Sequence, residues 1–477
     1  MARADRVGGK DRDWAVAWER RGTKGEANAC GVGATMEKHE HGRALLVTVG
    51  TGDLSRIEDT LLVPLRKSLR QGEWERVILL PSKLTEALAA KLLDTSSNLS
   101  IKIHPLPEEG MENNVDACFA HFDDLIGELH GEGFDGRNLV ADFTRGTKAM
   151  SAALVLAAVR HDVPILRYIQ GERDVRGMVV PGTEVVSEVA TTLATGKKLI
   201  ELAYRFFLSG NFAAAFEVLP DPAASRDAHW PDDLVALVGF VRPMGIFYAC
   251  WDRLDYKAAS KAEHVLPARA SEWDRLAPTP EMKAWVEGLA QPLPEGSDQE
   301  ACRKKAQHLR PLAADLLANG ERRIRQGQFE DAVVRAYRVL ELVGQARLFD
   351  TALDSARLPP DDEAVLKLMA KLEKDKASDR FGANRDGTLT AGRLLVARLL
   401  KAKGDPLARA LIDAGDAPLL KNRNVSVLIH GFEAAGPAER APLQDLYARL
   451  EQILVSDGSA ETLRNLALAR SLDFEAH

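Results

Sequence analysis

The stretch RNLVADFTRGTKAMSAALVLAAV, residues 137–159, contains a strand, a loop and a helix in direct succession. Its first seven residues are mostly apolar and partly β-branched, as a buried strand requires. Its last part places apolar residues at helical spacing. The loop between them holds Thr144, Gly146, Thr147 and Lys148. A strand followed at once by a helix is the building unit of a parallel α/β sheet.

Four more short apolar runs have the character of strands. They are ALLVTVG (44–50), RVILLP (76–81), LSIKIHP (99–105) and PILRYI (164–169). Segments of helical length and period lie between them, so the sequence predicts a Rossmann-like α/β domain with a parallel sheet covered on both faces. Beyond residue 185 strand signals almost disappear and helical periods continue to the C-terminus, which predicts an all-α remainder.

These patterns divide the chain into four predicted parts. The parts are a weakly ordered tail (1–41), the Rossmann-like domain (42–185), a helical connector domain (186–315) and a helical C-terminal domain (316–477). Three phrases in the helical parts each place an aromatic residue three positions before an alanine, which predicts the closure of helical hairpins. The phrases are GNFAAAF (210–216), LDYKAAS (254–260) and GQFEDAV (327–333), and their unequal spacing argues against a regular repeat.

The bulk properties exclude several classes of protein. The 477 residues carry a formal net charge of −7, which disfavours a general nucleic-acid coat while leaving room for a local site. No apolar run is long enough to span a bilayer, so we expect no membrane segment. The four cysteines are far apart, which favours reduced thiols in a cytoplasmic protein. We assign no metal ligands and no cofactor.

The two loops after the first and fourth predicted strands are candidate ligand-binding loops. In open α/β sheets, ligands bind beyond the carboxyl ends of the strands, near helix N-termini. GTGD (50–53) and DFTRGTKAM (142–150) occupy these places, but neither matches a Walker A or GxGxxG pattern. The second loop offers hydroxyls, a close backbone approach and one cation, which suit a phosphodiester or a ribose. A plain turn whose threonines cap the helix explains the same residues equally well.

The pairing of VTVGTGD (47–53) with DFTRGTKAMSAA (142–153) resembles the CARF domain, the sensor of CRISPR systems that binds cyclic oligoadenylates. In that family the corresponding loops line the ligand pocket. The resemblance implies binding roles for Thr51, Gly52, Thr144, Gly146, Thr147 and Lys148. Less specific candidates, just past other predicted strands, are Ser82, Asn114 and Gln170. A rotationally symmetric ligand suits a two-fold dimer, so we expect a homodimer.

A second motif, NRNVSVLIHGF (422–432), places Arg423 and His430 seven residues apart. On a helix this spacing turns through about 700°, so both side chains would leave one face about 10 Å apart. A surface arginine and a histidine at a helix C-terminus is the ordinary explanation. The segment, together with ELVGQARLF (341–349), also resembles the helical effector of CRISPR-associated CARF-HEPN ribonucleases. That resemblance implies catalytic roles for Arg423, Asn424 and His430.

The two resemblances together predict a cyclic-oligoadenylate-activated endoribonuclease that cuts single-stranded RNA in a type III CRISPR antiviral response. Two copies would bring both motifs around one cleft, and cleavage through the 2′-OH would need no metal. The main alternative is a sensor module whose helical part only dimerises or recruits a partner. A pocket that degrades its own activator is a third possibility. A transcription regulator is disfavoured because no winged helix-turn-helix follows residue 185.

Overall fold

Six strands form the sheet of the N-terminal region, five of them parallel. The computed structural model describes residues 42–51, 57–93, 99–134, 138–173, 175, 179–180, 182–227, 230–262, 273–376, 379–421, 435–457 and 460–474. The strands are β1 (Ala44–Val49), β2 (Arg76–Pro81), β3 (Ser100–Ile103), β4 (Leu139–Arg145), β5 (Ile165–Gln170) and β6 (Val185–Ala190). Their order is β3-β2-β1-β4-β5-β6, and β6 pairs antiparallel with β5. The predicted α/β class is confirmed.

Helices cover both faces of this sheet. They are α1 (Val63–Arg70), which follows a π-helical turn (Glu58–Leu62), α2 (Glu86–Ala90), α3 (Val115–Gly131) and α4 (Lys148–Arg160). All six residues of β1 are buried, because alternate side chains enter two separate cores. Leu46 packs in the core that includes residues of α3 and α4, whereas Leu45 and Val47 pack in the core beneath α1.

The rest of the chain is helical, as the sequence predicts. Its first helices are α5 (Thr192–Leu208), α6 (Phe212–Glu217), α7 (Pro222–Asp227), α8 (Asp232–Asp252), α9 (Tyr256–Ala259) and α10 (Pro280–Leu289). Then follow α11 (Gln299–Arg325), α12 (Phe329–Asp350), α13 (Glu363–Lys374), a small hairpin of β7 (Gly382–Ala383) and β8 (Leu389–Thr390), α14 (Arg393–Ala402), α15 (Ala408–Gly415), α16 (Pro418–Lys421), α17 (Arg440–Ser456) and α18 (Ala460–Ala469). Helix α11 runs through residue 315, where the sequence places a domain boundary.

Helix α8 is long and apolar enough to cross a membrane by length and composition alone. Its apolar residues instead form the centre of the connector core, where Val238, Val241 and Met244 have no exposed surface. A buried core helix of this length needs no lipid to cover it. Among the described residues, Cys118, Cys250 and Cys302 are free thiols.

Three tight corners join consecutive helices with the same backbone geometry. We name residues 209–212, 253–256 and 326–329 corner one, corner two and corner three. The second residue of each corner lies in the left-handed region, with φ of +72°, +65° and +75° at Gly210, Leu254 and Gly327. The aromatic residue that ends each corner is buried, and so is the alanine three positions later. The predicted hairpin closures are therefore present, with one geometry despite their unequal spacing.

Asp315 is a fully buried carboxylate that ties α11 to the connector. It accepts hydrogen bonds from Nε1 of Trp251 at 2.8 Å and from the hydroxyl of Tyr256 at 2.6 Å. Burial raises the pKa of Asp315 to about 6, because the carboxylate loses its hydration; the nearby guanidinium of Arg322 opposes the rise. The contact between α11 and the connector therefore contains a carboxyl group whose pKa lies just below neutral pH.

Asp252, at the end of α8, makes a second polar contact with α11. Its carboxylate accepts hydrogen bonds from Nδ2 of Asn319 at 3.1 Å and from Nε of Arg322 at 2.8 Å, and it also pairs with Arg323. Nε of Arg335 donates in turn to Oδ1 of Asn319, which extends the contact to α12. Because a buried charge must be compensated, these pairs restrict how the connector can sit on the C-terminal helices.

Replacing Asp315 by asparagine is expected to change the pH dependence of stability. The folded protein keeps this proton up to about pH 6, whereas an unfolded aspartate releases it near pH 4. The contribution of Asp315 to the free energy of unfolding therefore falls as the pH rises from about 4 to about 6. Relative to the wild type, Asp315→Asn should gain about 2 to 3 kcal/mol across this interval.

The measurement is urea unfolding of both proteins at several pH values between 4.5 and 7.5. The exposed Asp361→Asn variant is the control, and its difference from the wild type should stay constant in this range. Parallel pH curves for Asp315→Asn and the wild type would contradict a buried proton at this position.

Candidate functional site

The carboxyl ends of β1 and β4 lie side by side in the middle of the sheet. Strand β1 pairs with β2 on one side and with β4 on the other. Successive strands are therefore added outward in one direction up to β3 and in the other direction from β4 onward, so the strand order reverses between β1 and β4. Ligands of open α/β sheets bind in the crevice outside such a reversal. The two loops that the sequence singles out begin here, at Gly50 and Gly146, so the sheet brings them together.

The two glycines allow the loops to touch. A Cβ atom on Gly50 would lie 3.0 Å from the carbonyl oxygen of Arg145. A Cβ atom on Gly146 would lie 2.9 Å from Cβ of Met150 and 3.0 Å from Cβ of Thr48. Any other residue at Gly146 would push the start of α4 away from β1. Both glycines therefore act through close backbone approach, as the loop pattern predicts.

Thr147 and Asn114 cap helices on this edge of the sheet. The hydroxyl of Thr147 accepts a hydrogen bond from the backbone N–H of Met150 at 3.1 Å and donates to the backbone carbonyl of Glu112. Oδ1 of Asn114 accepts a hydrogen bond from the backbone N–H of Ala117 at 3.1 Å. The hydroxyl of Thr147 is thus occupied by the protein itself, and its contribution to a ligand would come from the shape of the loop.

Thr144 is occupied in the same way. Its hydroxyl donates to the carboxylate of Asp142 and accepts a hydrogen bond from the backbone N–H of Ile169 at 2.9 Å. The regular pairing of β4 with β5 stops at Asp142, so this side chain continues the contact between the two strands. Asp142 has no exposed surface and is also bound by the hydroxyl of Ser68.

Ser82 forms part of the floor beneath the loops and has only 3% of its surface exposed. Its hydroxyl lies 3.1 Å from the hydroxyl of Thr85, which donates to the carbonyl oxygen of Val49 at 2.8 Å. The end of β2 is thereby tied to the end of β1. Ser82 supports the loop after β1 and presents little surface to a ligand.

Three of the predicted residues stand on the exposed rim. They are Thr51, Lys148 and Gln170. Lys148 is the first residue of α4 and makes no ion pair with a described residue, so its ammonium group faces solvent close to the positive end of the helix dipole. The rim therefore offers a hydroxyl, an amide and a cation to a negatively charged ligand. Gly52, the remaining candidate, lies outside the described residues.

Arg145 is a feature of this site that the sequence interpretation missed. It pairs with Val49 at the end of β4, and its Nε atom is buried with no hydrogen-bond partner in the described part of the chain. Burial lowers the pKa of the Arg145 guanidinium, while the carboxylates of Asp142 and Glu184 oppose the shift. The signal was a second cation inside the loop DFTRGTKAM, next to the candidate glycine.

The proposed catalytic residues Arg423, Asn424 and His430 lie outside the described residues. The structure describes the chain up to Lys421, at the end of α16, and again from Ala435. Leu420 is buried in the core formed by the C-terminal helices, and the backbone N–H of Ala435 donates to the carboxylate of Glu330 in the first turn of α12. Both ends of the motif-bearing segment are therefore anchored on the helical core.

Two comparisons with known proteins bear on the C-terminal helices and on the fold of the whole chain. Residues 301–454 match the family model of the Csm6 HEPN domain. The structure of Enterococcus italicus Csm6 bound to cyclic hexa-2′-fluoro-hexa-dAMP has the same fold, with a TM-score of 0.53 at 12% identity over 91% of this chain and 99% of that chain. The predicted likeness to the CARF-HEPN ribonucleases is confirmed.

A weaker structural match and the curated proteins establish no further relationship. The complex of Can2 from Sulfobacillus thermosulfidooxidans with cyclic tetra-adenylate covers 56% of this chain and 66% of that chain at 13% identity. Its TM-score of 0.21 is too low to support a shared arrangement. None of the curated proteins matches the sequence.

A pair of threonine variants should separate the interior of the site from its rim. Thr144→Val removes the acceptor for the N–H of Ile169 and a donor to Asp142, so we expect a loss of about 1 to 3 kcal/mol in stability. Thr51→Val changes an exposed hydroxyl and should stay within about 0.5 kcal/mol of the wild type. Thermal unfolding followed by circular dichroism tests both. Equal melting temperatures for the two variants would show that the hydroxyl of Thr144 is dispensable.

Proposed function

We propose that this chain, whose C-terminal helices match the HEPN domain of Csm6 and whose fold is that of Csm6, is a ribonuclease of CRISPR antiviral defence. A cyclic oligoadenylate activates it by binding at the carboxyl edge of the sheet. The substrate is single-stranded RNA, and cleavage needs no metal ion. The protein acts in the cytoplasm as a homodimer.

One observation supports this proposal: the candidate sensor loops meet at the edge of the sheet, and the second motif follows later in the chain, inside the match to a HEPN family model. The family match over residues 301–454 encloses Arg423, Asn424 and His430. The other candidate loops meet where the strand order reverses. The Csm6 of similar fold was determined with a cyclic hexanucleotide bound, which supports the same class of ligand for this sheet edge.

The chemistry follows from the side chains of the second motif. The 2′-oxygen of a ribose attacks the adjacent phosphorus, the bond from phosphorus to the 5′-oxygen breaks, and a 2′,3′-cyclic phosphate remains. Because a histidine side chain ordinarily changes charge near neutral pH, His430 can take the proton from the 2′-OH or give one to the leaving 5′-oxygen, an effect typically worth about 10² to 10⁴ in rate. Arg423 stabilises the negative charge that builds on the phosphate. Asn424 orients the side chain of either Arg423 or His430.

A two-fold dimer explains why these groups are spaced as they are. Two side chains about 10 Å apart along one helix would not share a phosphate within one copy. Two copies related by an axis bring both sets around a single cleft. The same axis presents the sensor loops twice to a symmetric ring, so activator binding and catalysis would both belong to the dimer.

Cleavage of a fluorescent single-stranded RNA in EDTA tests the function. We expect cutting only when cyclic tetra-adenylate or cyclic hexa-adenylate is added, and the ring that activates identifies the ligand. Arg423→Ala/His430→Ala should lose at least 10³-fold in rate while binding the activator normally. An activator that binds without any cutting by the wild type would favour a docking module. A requirement for a divalent cation, or cutting of DNA, would contradict the mechanism.

Lys148→Gln tests the activator site separately from catalysis. Losing one charged contact to a phosphate should weaken binding of the cyclic oligoadenylate about tenfold. The activator concentration for half-maximal cleavage should rise by the same factor, while the rate at saturating activator stays unchanged. Lys371→Gln, an exposed lysine on α13, is the matched control. If Lys148→Gln and Lys371→Gln have the same activation curve, the rim of the sheet is not the activator site.

A further inference from the structure

A second cleft lies at the junction between the connector and the C-terminal helices, away from the sheet. It has a volume of about 470 Å³. Its walls come from corner one, from the end of α8 with the first residue of corner two, and from the end of α11 with corner three. Its polar lining residues include Asn211, Asp252, Arg253, Arg323, Gln326 and Gln328. The polar residues of these elements face one space.

The floor of the cleft carries no uncompensated negative charge. Its one carboxylate, Asp252, is bound by Asn319, Arg322 and Arg323. Arg253 stands exposed at the edge and makes no ion pair with a described residue. The local charge of the cleft is therefore positive, although the chain as a whole is acidic.

The hydrogen bonds of Arg323 fix the orientation of two glutamine amides. Nη1 of Arg323 donates to Oε1 of Gln326 at 2.7 Å and to Oε1 of Gln328 at 3.1 Å. With each amide oxygen directed at the guanidinium, each NH₂ group points elsewhere. Nε2 of Gln326 lies only 3.6 Å from the Cβ position of Gly210, which places it in the space between corner one and corner three.

The side-chain amide of Asn211 is also oriented by a hydrogen bond, in this case to the first turn of the helix that it caps. Oδ1 of Asn211 accepts a hydrogen bond from the backbone N–H of Ala214 at 3.3 Å and so caps α6. The NH₂ group of Asn211 takes no part in this cap. None of the three NH₂ groups donates to a described residue. Ser209 is the exception in this set, because its hydroxyl donates to the carbonyl of Phe206 and retains only acceptor capacity.

The cleft thus presents three amide donors and one free guanidinium, and it lacks a ligand-facing anion among its described residues. Such a site demands a ligand rich in acceptors and negatively charged, and a phosphate group meets both requirements. The position of the cleft on the helical part of the molecule, away from the sheet, favours the RNA substrate over the cyclic oligoadenylate as its ligand. Gln328 of corner three lies two residues before Glu330, which binds Ala435 at the end of the segment that bears the second motif.

We propose that this cleft binds the phosphodiester backbone of single-stranded RNA, as a site additional to the residues of the second motif. The inference rests on the proposed function, since it assigns a second contact to the same substrate. Because the cleft holds the strand by its backbone and supplies no residue of the second motif, it would contribute mainly to RNA affinity and little to the chemical step.

Gln326→Glu/Gln328→Glu tests this site with almost no change in shape. Each glutamate keeps an oxygen on Arg323 but replaces a donor by a second negatively charged oxygen. Gln291→Glu/Gln444→Glu, at two exposed positions outside the cleft, introduces the same charge elsewhere. All four substitutions are placed in the Arg423→Ala/His430→Ala background, and binding of a fluorescein-labelled single-stranded RNA is followed by anisotropy.

The cleft variant should bind RNA at least tenfold more weakly than its charge-matched control. Arg253→Gln, which adds no carboxylate, should lower the slope of log affinity against log salt by about 0.7, the value for one phosphate contact on a single strand. Equal RNA affinity and equal slopes in the cleft and control variants would overturn the proposal. A loss of affinity for cyclic tetra-adenylate or inorganic phosphate, with RNA binding intact, would overturn the assignment to RNA.

The two proposals can fail separately. If the wild type cuts RNA with activator but the cleft variants bind RNA normally, only the additional site is wrong. If no activator elicits cutting but the cleft variants lose RNA affinity, the ribonuclease function fails and the RNA site stands.

Discussion

The burial of two carboxylates, Asp252 and Asp315, constrains the whole helical part of the molecule. Neither can be buried without partners, and the partners of both come from the opposite side of the contact between α8 and α11. The connector therefore has one favoured position against the C-terminal helices. This arrangement brings corner one, the end of α8 and corner three around a common cleft beside the start of α12.

The sequence predicted the elements whose burial is strongest. Five strands were identified because their residues are apolar and partly β-branched, and β1 is buried throughout. Strand β6 was missed because it is a largely exposed edge strand that carries no apolar run. The corners were found because an aromatic residue and an alanine recur at fixed spacing, a local rule. The continuity of α11 across residue 315 was not foreseen, because a domain boundary depends on tertiary packing rather than on helical period.

The candidate site was predicted at the level of loops and less well at the level of atoms. The sequence identified Thr144 and Thr147, but it could not tell whether their hydroxyls face a ligand, and both are bound within the protein. Arg145 and the amides of Gln326 and Gln328 were not recognised, because their chemistry depends on partners distant in the chain. Arg423 and His430 remain predictions from the motif and the family match that encloses them.

The length of α11 has a mechanical consequence. Its 27 residues form a rod about 40 Å long that belongs to both helical regions. A tilt of about 5° at one end of a straight rod of this length would move the other end by about 3.5 Å. Pro311 lies inside this rod and lacks the N–H that would bind the preceding turn, so the helix can bend there. Asp315, Asn319 and Arg322 all lie on the same side of that point, so they would swing as a single block.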